Sequence, residues 1–353
     1  HIIYSEKNMS IPTIDLFSDT KTRPSKPMLN AMIAAEMGDE QAGEDPTTIK
    51  LQERVASLLG KEAALFVPSG TMCNQIAIAV QCQPGDEIIA DKTAHIINFE
   101  AGGATVIARA MIRPLEGLRG QFSLDQARDA IRAGFRHAPS SKMISVEQTA
   151  NLGGGSIWPL DVLKSFQALS VEHNLVMHMD GARLLNAVVA SGVSAADYAA
   201  TVDTVWIDLS KGLGCPVGGV IAGSKDFIDQ AWPWKQRLGG SMRQSGILAA
   251  AGLYALDHNV ERLEVDHLNA KNLANRLAQI PGIKIDPTTV ETNILIINVA
   301  KLKVSASEIS EQLLLNGVRI GAMGPDSMRA VTHLDVDEAG INRAADIFAK
   351  ICS

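Results

Sequence analysis

The chain lacks the features that disulfide-stapled, membrane-spanning and nucleic-acid-binding proteins depend on. Its four cysteines, Cys73, Cys82, Cys215 and Cys352, show no CxxC spacing, and its eight histidines form no HxxxH or HExxH pattern. A reduced, cytoplasmic protein with no metal site is therefore expected. The longest uncharged stretch, 63–85, could span a bilayer by length, but it carries Pro68, Ser69, Gly70, Asn74, Gln75 and Gln81, which excludes a lipid-facing helix. No run of one charge occurs: 32 Lys+Arg stand against 39 Asp+Glu, a net charge of −7, which argues against nucleic acid and anionic membranes as partners. The first residues have neither a basic nor an apolar leader segment; 1–8 read as a tag remnant ahead of Met9, and no export signal is expected. Low-complexity linkers and internal repeats are also missing, so tightly packed parts are expected rather than tethered ones.

What is present is a chain of 353 residues, 46 % hydrophobic, long enough to bury about three quarters of its unfolded surface. Short apolar runs at 62–67, 86–90, 104–109, 142–147, 174–179, 203–207 and 217–222 read as strands, most followed by a helix-length segment. That alternation predicts an α/β fold with a mostly parallel sheet covered on both faces. Asp45 followed by Pro46 reads as a helix start, and Gly60 ends the apolar pattern of Ile49, Leu51, Val55, Leu58 and Leu59. Beyond about 256 the rhythm changes to a helix over 258–279, strands near 283–285 and 293–299, a helix 305–316, strands near 318–321 and 328–332, and a last helix 337–350. The expected division is an N-terminal arm (1–25), a large domain (26–256) and a smaller α+β domain (257–353).

The most informative segments are Met177-His178-Met179-Asp180-Gly181-Ala182-Arg183 and Trp206-Ile207-Asp208-Leu209-Ser210-Lys211-Gly212, each an apolar strand ending in polar residues. In open α/β sheets such strand ends hold ligands. A carboxylate at one end and a lysine at another suit pyridoxal phosphate chemistry, in which the amine forms a Schiff base and the acid keeps the pyridine nitrogen protonated. Taken alone, Asp180 could equally cap a helix starting near Ala182, and Lys211 could be a solvated loop residue. Ser69-Gly70-Thr71, between a strand and a helix, adds a candidate phosphate cradle.

Eight segments in this order resemble the L-threonine aldolase family: Ser18-Asp19-Thr20, Gly43-Glu44-Asp45-Pro46, Pro68-Ser69-Gly70-Thr71-Met72, Ala94-His95-Ile96, His178-Met179-Asp180-Gly181-Ala182-Arg183, Leu209-Ser210-Lys211-Gly212-Leu213-Gly214, Gly239-Gly240-Ser241-Met242-Arg243-Gln244 and Val331-Thr332-His333. The resemblance implies the aspartate aminotransferase-like fold (fold type I), with 26–256 as the domain that binds pyridoxal 5'-phosphate. It implies retro-aldol cleavage of L-β-hydroxy-α-amino acids to glycine and an aldehyde, and a homo-oligomer of two or four chains with a shared active site. By resemblance, Lys211 is the Schiff-base lysine, Asp180 the partner of the pyridine nitrogen, and Arg183 a donor to the ring's phenolate oxygen and a neighbour of the substrate. Ser69, Gly70 and Thr71 hold the phosphate, and Arg243 reaches it across a subunit interface. Ser18 and Arg329 hold the substrate carboxylate, with His333 beside them, an arrangement that suits the planar fork of arginine. His95 stacks on the cofactor and stands near the β-hydroxyl proton, with Glu100 a second candidate for that proton. Two rival readings remain open: elimination or transamination with the same cofactor, and a non-catalytic binding protein that kept the fold.

The chain departs from the family pattern at Ala42, where a tyrosine is usual, and at Ala150, where a histidine is usual. Two smaller side chains predict extra volume near the substrate's β-substituent, and with it a preference for bulky substrates such as phenylserine.

Overall fold

The structure, a computed structural model, describes residues 12–132 and 134–352. The tag remnant expected at 1–8 lies outside the described residues. Strands occur at Ile14–Asp15 (β1), Ala63–Val67 (β2), Glu87–Asp91 (β3), Met111–Leu115 (β4), Ser141–Glu147 (β5), Val176–Gly181 (β6), Thr204–Asp208 (β7), Gly219–Gly223 (β8), Ile294–Asn298 (β9), Val318–Arg319 (β10), Gly321–Ala322 (β11) and Ser327–Val331 (β12).

The chain divides into two compact units. Thr22–Glu264 form the larger, and residues up to Lys21 together with those from Val265 onward form the smaller. In the larger unit seven strands make one sheet in the order β2-β8-β7-β6-β5-β3-β4. Only β8 runs against its neighbours, pairing antiparallel with both β2 and β7. Strands β3, β7 and β8 are buried along their whole length and β6 at all but its first residue, as both-face helix cover demands. In the smaller unit β1 pairs in parallel with β10, and β11-β12-β9 form an antiparallel sheet over a core that includes Leu295, Ile297, Leu313 and Phe348.

Three expectations change. Residues 104–109 do not form a strand: Gly103–Val106 is a short helix and β4 begins at Met111. Ala104 and Ala108, one helical turn apart, are the buried members, while Val106 is 75 % exposed; the run carries a helical period that its β-branched content obscures. Strand β4 was hidden by Arg113 and Pro114, and proline is tolerated there because β4 is an edge strand. The helix expected over 258–279 spans Leu263–Leu277, after a separate helix Gly246–His258, and near 283–285 there is only an isolated bridge from Lys284 to Asn298.

The helix Pro46–Leu59 forms as its punctuation predicts, with Gly60 left-handed at φ 60°. Asp45 does more than cap it. Its carboxylate accepts from the N–H groups of Thr48 (2.8 Å), Gly38 (3.0 Å) and Gly246 (2.9 Å), tying two distant loops to the helix start. Burial pushes this carboxyl up, but the three N–H donors outweigh it and hold it below the usual range. Asp45→Ala should therefore destabilise the protein by about 2–4 kcal/mol at neutral pH, from the lost cap and the stranded donors. That contribution is complete above the ordinary carboxylate range and lost as pH falls through the depressed value, so the Tm gap between variant and wild type should narrow in acid.

Candidate active site

The carboxyl ends of the parallel strands gather the expected residues of the larger unit. At the end of β6, Asp180 Oδ1 accepts from the N–H of Ala182 (3.0 Å) and Oδ2 from Asn74 Nδ2 (2.8 Å). Asp180 does not cap the following helix, which starts later at Leu184. Asn74 Nδ2 also donates to Glu100 Oε1 (2.7 Å), and Asn74 Oδ1 accepts from Trp206 Nε1 (2.7 Å) and His178 Nε2 (3.0 Å). His178 Nδ1 in turn accepts from Thr204 Oγ1 (2.9 Å). Burial pulls the pKa of His178 down to about 4, so the ring stays neutral with its proton on Nε2.

His95 opens the short helix after β3. Its Nδ1–H donates to Glu100 Oε1 (2.8 Å) and its main-chain N–H to Glu147 Oε2 (2.8 Å). Burial lowers the His95 pKa, but the bond to Glu100 and the charges of Asp180 and Glu100 overcome it, leaving His95 above its ordinary value. With Nδ1 committed to Glu100, Nε2 carries the basic lone pair. Glu147, in register with Asp180 on the adjacent strand, is pushed up to about 7 by burial and then by the Asp180 charge, against the N–H bonds from Asn151 and His95. Ligand atoms of His95, Glu100 and Asp180 lie within 4.8 Å of one another. Because Asn74, Gln75, His95 and Ala182 already aim N–H groups at these oxygens, the cluster disfavours a bare metal ion.

Lys211 follows β7. Its Nζ is 3.2 Å from Asp208 Oδ2 and 5.8 Å from the centre of the Trp206 ring, and its carbonyl accepts from Thr22 Oγ1 (2.8 Å). Ser69 caps the helix Gly70–Gln81 through Met72 N–H (3.2 Å), so the first-turn amides of Gly70 and Thr71 have no carbonyl of their own helix to bind. A β-carbon on Gly70 would lie 2.2 Å from the Trp206 ring, and one on Gly181 2.0 Å from the Trp206 carbonyl; only glycine fits at either place. Arg183 is buried and reaches Asn151 Oδ1 (3.5 Å). Arg243 is 62 % exposed and pairs with Asp39 (2.9 Å), on the same surface loop as exposed Ala42.

In the smaller unit Arg329, on β12, donates to the Phe17 carbonyl (3.4 Å), next to Ser18, whose hydroxyl accepts from Thr20 N–H (3.2 Å). His333 Nε2 donates to the Asp15 carbonyl (2.7 Å), a backbone tie.

The expected enlargement at Ala150 is not found. Ala150 is 2 % exposed, and a β-carbon on Gly120 would be 2.7 Å from its methyl. The cavity it lines holds about 10 Å³, one water at most. The loops around Gly120 and Gly153 pack directly against the Ala150 methyl, as close-packed interiors do. Sequence reasoning missed Asn74, Glu147 and Trp206. The signal for Asn74 was present, since Asn74-Gln75 is a pair of amides inside an otherwise apolar helix, but it served only to exclude a membrane span.

Residues 15–300 match the family model described as beta-eliminating lyase. The chain is 42 % identical over 333 residues to the low specificity L-threonine aldolase of Escherichia coli K12, covering 94 % of this chain and 97 % of that one. The chain belongs to the beta-eliminating lyases, among the L-threonine aldolases. The low-specificity L-threonine aldolase 1 of Arabidopsis thaliana is 37 % identical over 347 residues, covering 97 % of both chains. The threonine aldolase of Leishmania major superposes with a TM-score of 0.83 at 20 % identity, covering 96 % of this chain and 100 % of that one. The fold of this family member is thus the aspartate aminotransferase-like α/β fold expected from the sequence, and no helix of its described residues is long and apolar enough to cross a membrane.

The hydrogen bond to Glu100, together with the charges of Asp180 and Glu100, raises the His95 pKa. Glu100→Gln should shift the His95 ring titration, followed by NMR in cofactor-free protein, to lower pH; an unmoved midpoint would assign the elevation to Asp180 instead.

Proposed function

We propose that this L-threonine aldolase family member binds pyridoxal 5'-phosphate and reversibly cleaves L-β-hydroxy-α-amino acids to glycine and an aldehyde. The observation that carries this reading is the placing of Lys211, Asp180 and the Gly70 helix start after the carboxyl ends of β7, β6 and β2, along one edge of the sheet, in a chain so similar over its length to low-specificity threonine aldolases. The residues fit the cofactor. Asp180 is held by N–H donors on both oxygens and keeps lone pairs for a ring N–H. The unbound first-turn amides at Gly70 and Thr71 suit a phosphate.

When bound, the cofactor supplies an electron sink for the pair released as Cα–Cβ breaks. In our assignment Ser69, Gly70 and Thr71 hold the phosphate, and Asp180 keeps a proton at the pyridine nitrogen. Arg183 donates to the ring's phenolate oxygen and faces the substrate, and Lys211 supplies the tethering amine that substrate displaces. His95, aimed through Nδ1 at Glu100, takes the β-hydroxyl proton at Nε2. Ser18 and Arg329 are assigned to the substrate α-carboxylate. Arg243, exposed and held by Asp39, is assigned to the phosphate of a neighbouring copy, which makes the protein a homo-oligomer of two or four chains. The four cysteines are free, three of them buried, in keeping with a reducing, cytoplasmic setting.

The direct test is a product assay on a panel of L-β-hydroxy-α-amino acids: glycine plus aldehyde supports the reading, while ammonia plus a 2-oxo acid overturns it. Lys211→Ala should lower turnover by about a thousandfold or more with the fold retained in circular dichroism. Asp180→Asn should keep the cofactor, seen by its absorbance, yet lose about a hundredfold or more in kcat. Light scattering should report at least a dimer; an active monomer would remove Arg243 from its assigned place.

A further inference from the structure

The amide of Asn74 has all four hydrogen-bonding positions occupied, and all four are buried. Its two N–H bonds go to two different carboxylates, Asp180 and Glu100, and its oxygen receives two donors, Trp206 Nε1 and His178 Nε2. The donors fix which end of the amide faces which neighbour. Trp206 can only donate, so the oxygen of Asn74 must face it, and His178 Nε2, set against the same oxygen, must donate as well, which leaves His178 Nδ1 to accept from the Thr204 hydroxyl. The oxygen of Asn74 is thereby pinned toward Trp206 and His178, and its NH2 toward the carboxylates. Two carboxylates this close would otherwise favour sharing a proton, as paired acids do.

We propose that Asn74 is a positioning residue that bridges Asp180 and Glu100 through one nitrogen and holds the two carboxylates apart, so that Asp180 can hold a proton on the cofactor ring while Glu100 independently orients His95. The hydrogen bonds stand without reference to function; the two tasks rest on the aldolase reading above. Charged and titratable groups around Asn74 are Asp180 and His178 from β6, His95 and Glu100 from the segment after β3, Asp208 and Lys211 at the end of β7, and Cys73 on its own helix. Asn74 donates to both carboxylates through one nitrogen.

Two variants test this. Asn74→Asp has the same shape but aims an oxygen, instead of an NH2, at the two acids. In cofactor-free protein this third carboxyl should take up a proton, donate to one acid only and become destabilising as it ionises, so the Tm deficit relative to wild type should widen steadily from mildly acid to mildly alkaline pH. Asn74→Leu removes all four bonds at similar volume; cofactor affinity should fall about tenfold or more, and kcat should fall with a smaller change in the KM of the amino-acid substrate. If Asn74 merely fills space, the Asp variant shows a Tm deficit that does not change with pH and the Leu variant keeps its cofactor affinity; either result overturns the proposal. A pH-dependent Tm deficit in a protein that releases no glycine from any substrate would instead refute the aldolase reading while leaving the carboxylate-separating role of Asn74 intact.

Discussion

Buried negative charge is the constraint around which the larger unit is arranged. Glu100, Glu147 and Asp180 are at most 9 % exposed, and an ionised carboxylate in such a place is tolerable only if N–H groups are aimed at it. Each has its donors: the Asn74 and Gln75 amides and the His95 ring for Glu100, the main-chain N–H groups of His95 and Asn151 for Glu147, and Asn74 with Ala182 for Asp180. These donors come from the helix after β2, the turn after β3, the loop after β5 and the end of β6. Satisfying these three buried carboxyl groups therefore fixes the relative positions of four segments. Glu147, with main-chain donors alone and Asp180 beside it, is the one pushed toward neutrality.

The sheet topology makes that convergence possible. Parallel strands deliver all their carboxyl ends to one edge, and successive crossovers bring residues far apart in the chain to adjacent ends. Trp206 then serves as a wall: its ring faces Gly70, its carbonyl faces Gly181, its indole N–H binds Asn74, and the Lys211 amine lies over it. A side chain larger than hydrogen at either glycine would push the cradle or the β6 turn off this wall.

Local chemistry was legible in the amino-acid order. The strand-end Asp180 and Lys211, the Ser69 cap, the Asp45-Pro46 helix start and the alternation of strands with helices are short-range patterns whose physics acts within a few residues, and each appears where its pattern predicted. Patterns with two local solutions were not legible: the apolar stretch at 104–109 satisfied both periods until Ala104 and Ala108 found a common buried face.

The sequence by itself determined the fold class, the family and the positions of the acid and the lysine, because these follow from local periodicity, caps and motif order. Tertiary structure alone decided that Asn74 binds an acid 106 positions away and an indole 132 positions away, and that the loops at Gly120 and Gly153 pack against Ala150. The reason is the same in both cases. A buried polar group or a vacated volume is settled by whichever neighbours the packed chain brings within about 3–4 Å, and those neighbours are set by the crossovers of the sheet rather than by adjacency in the sequence.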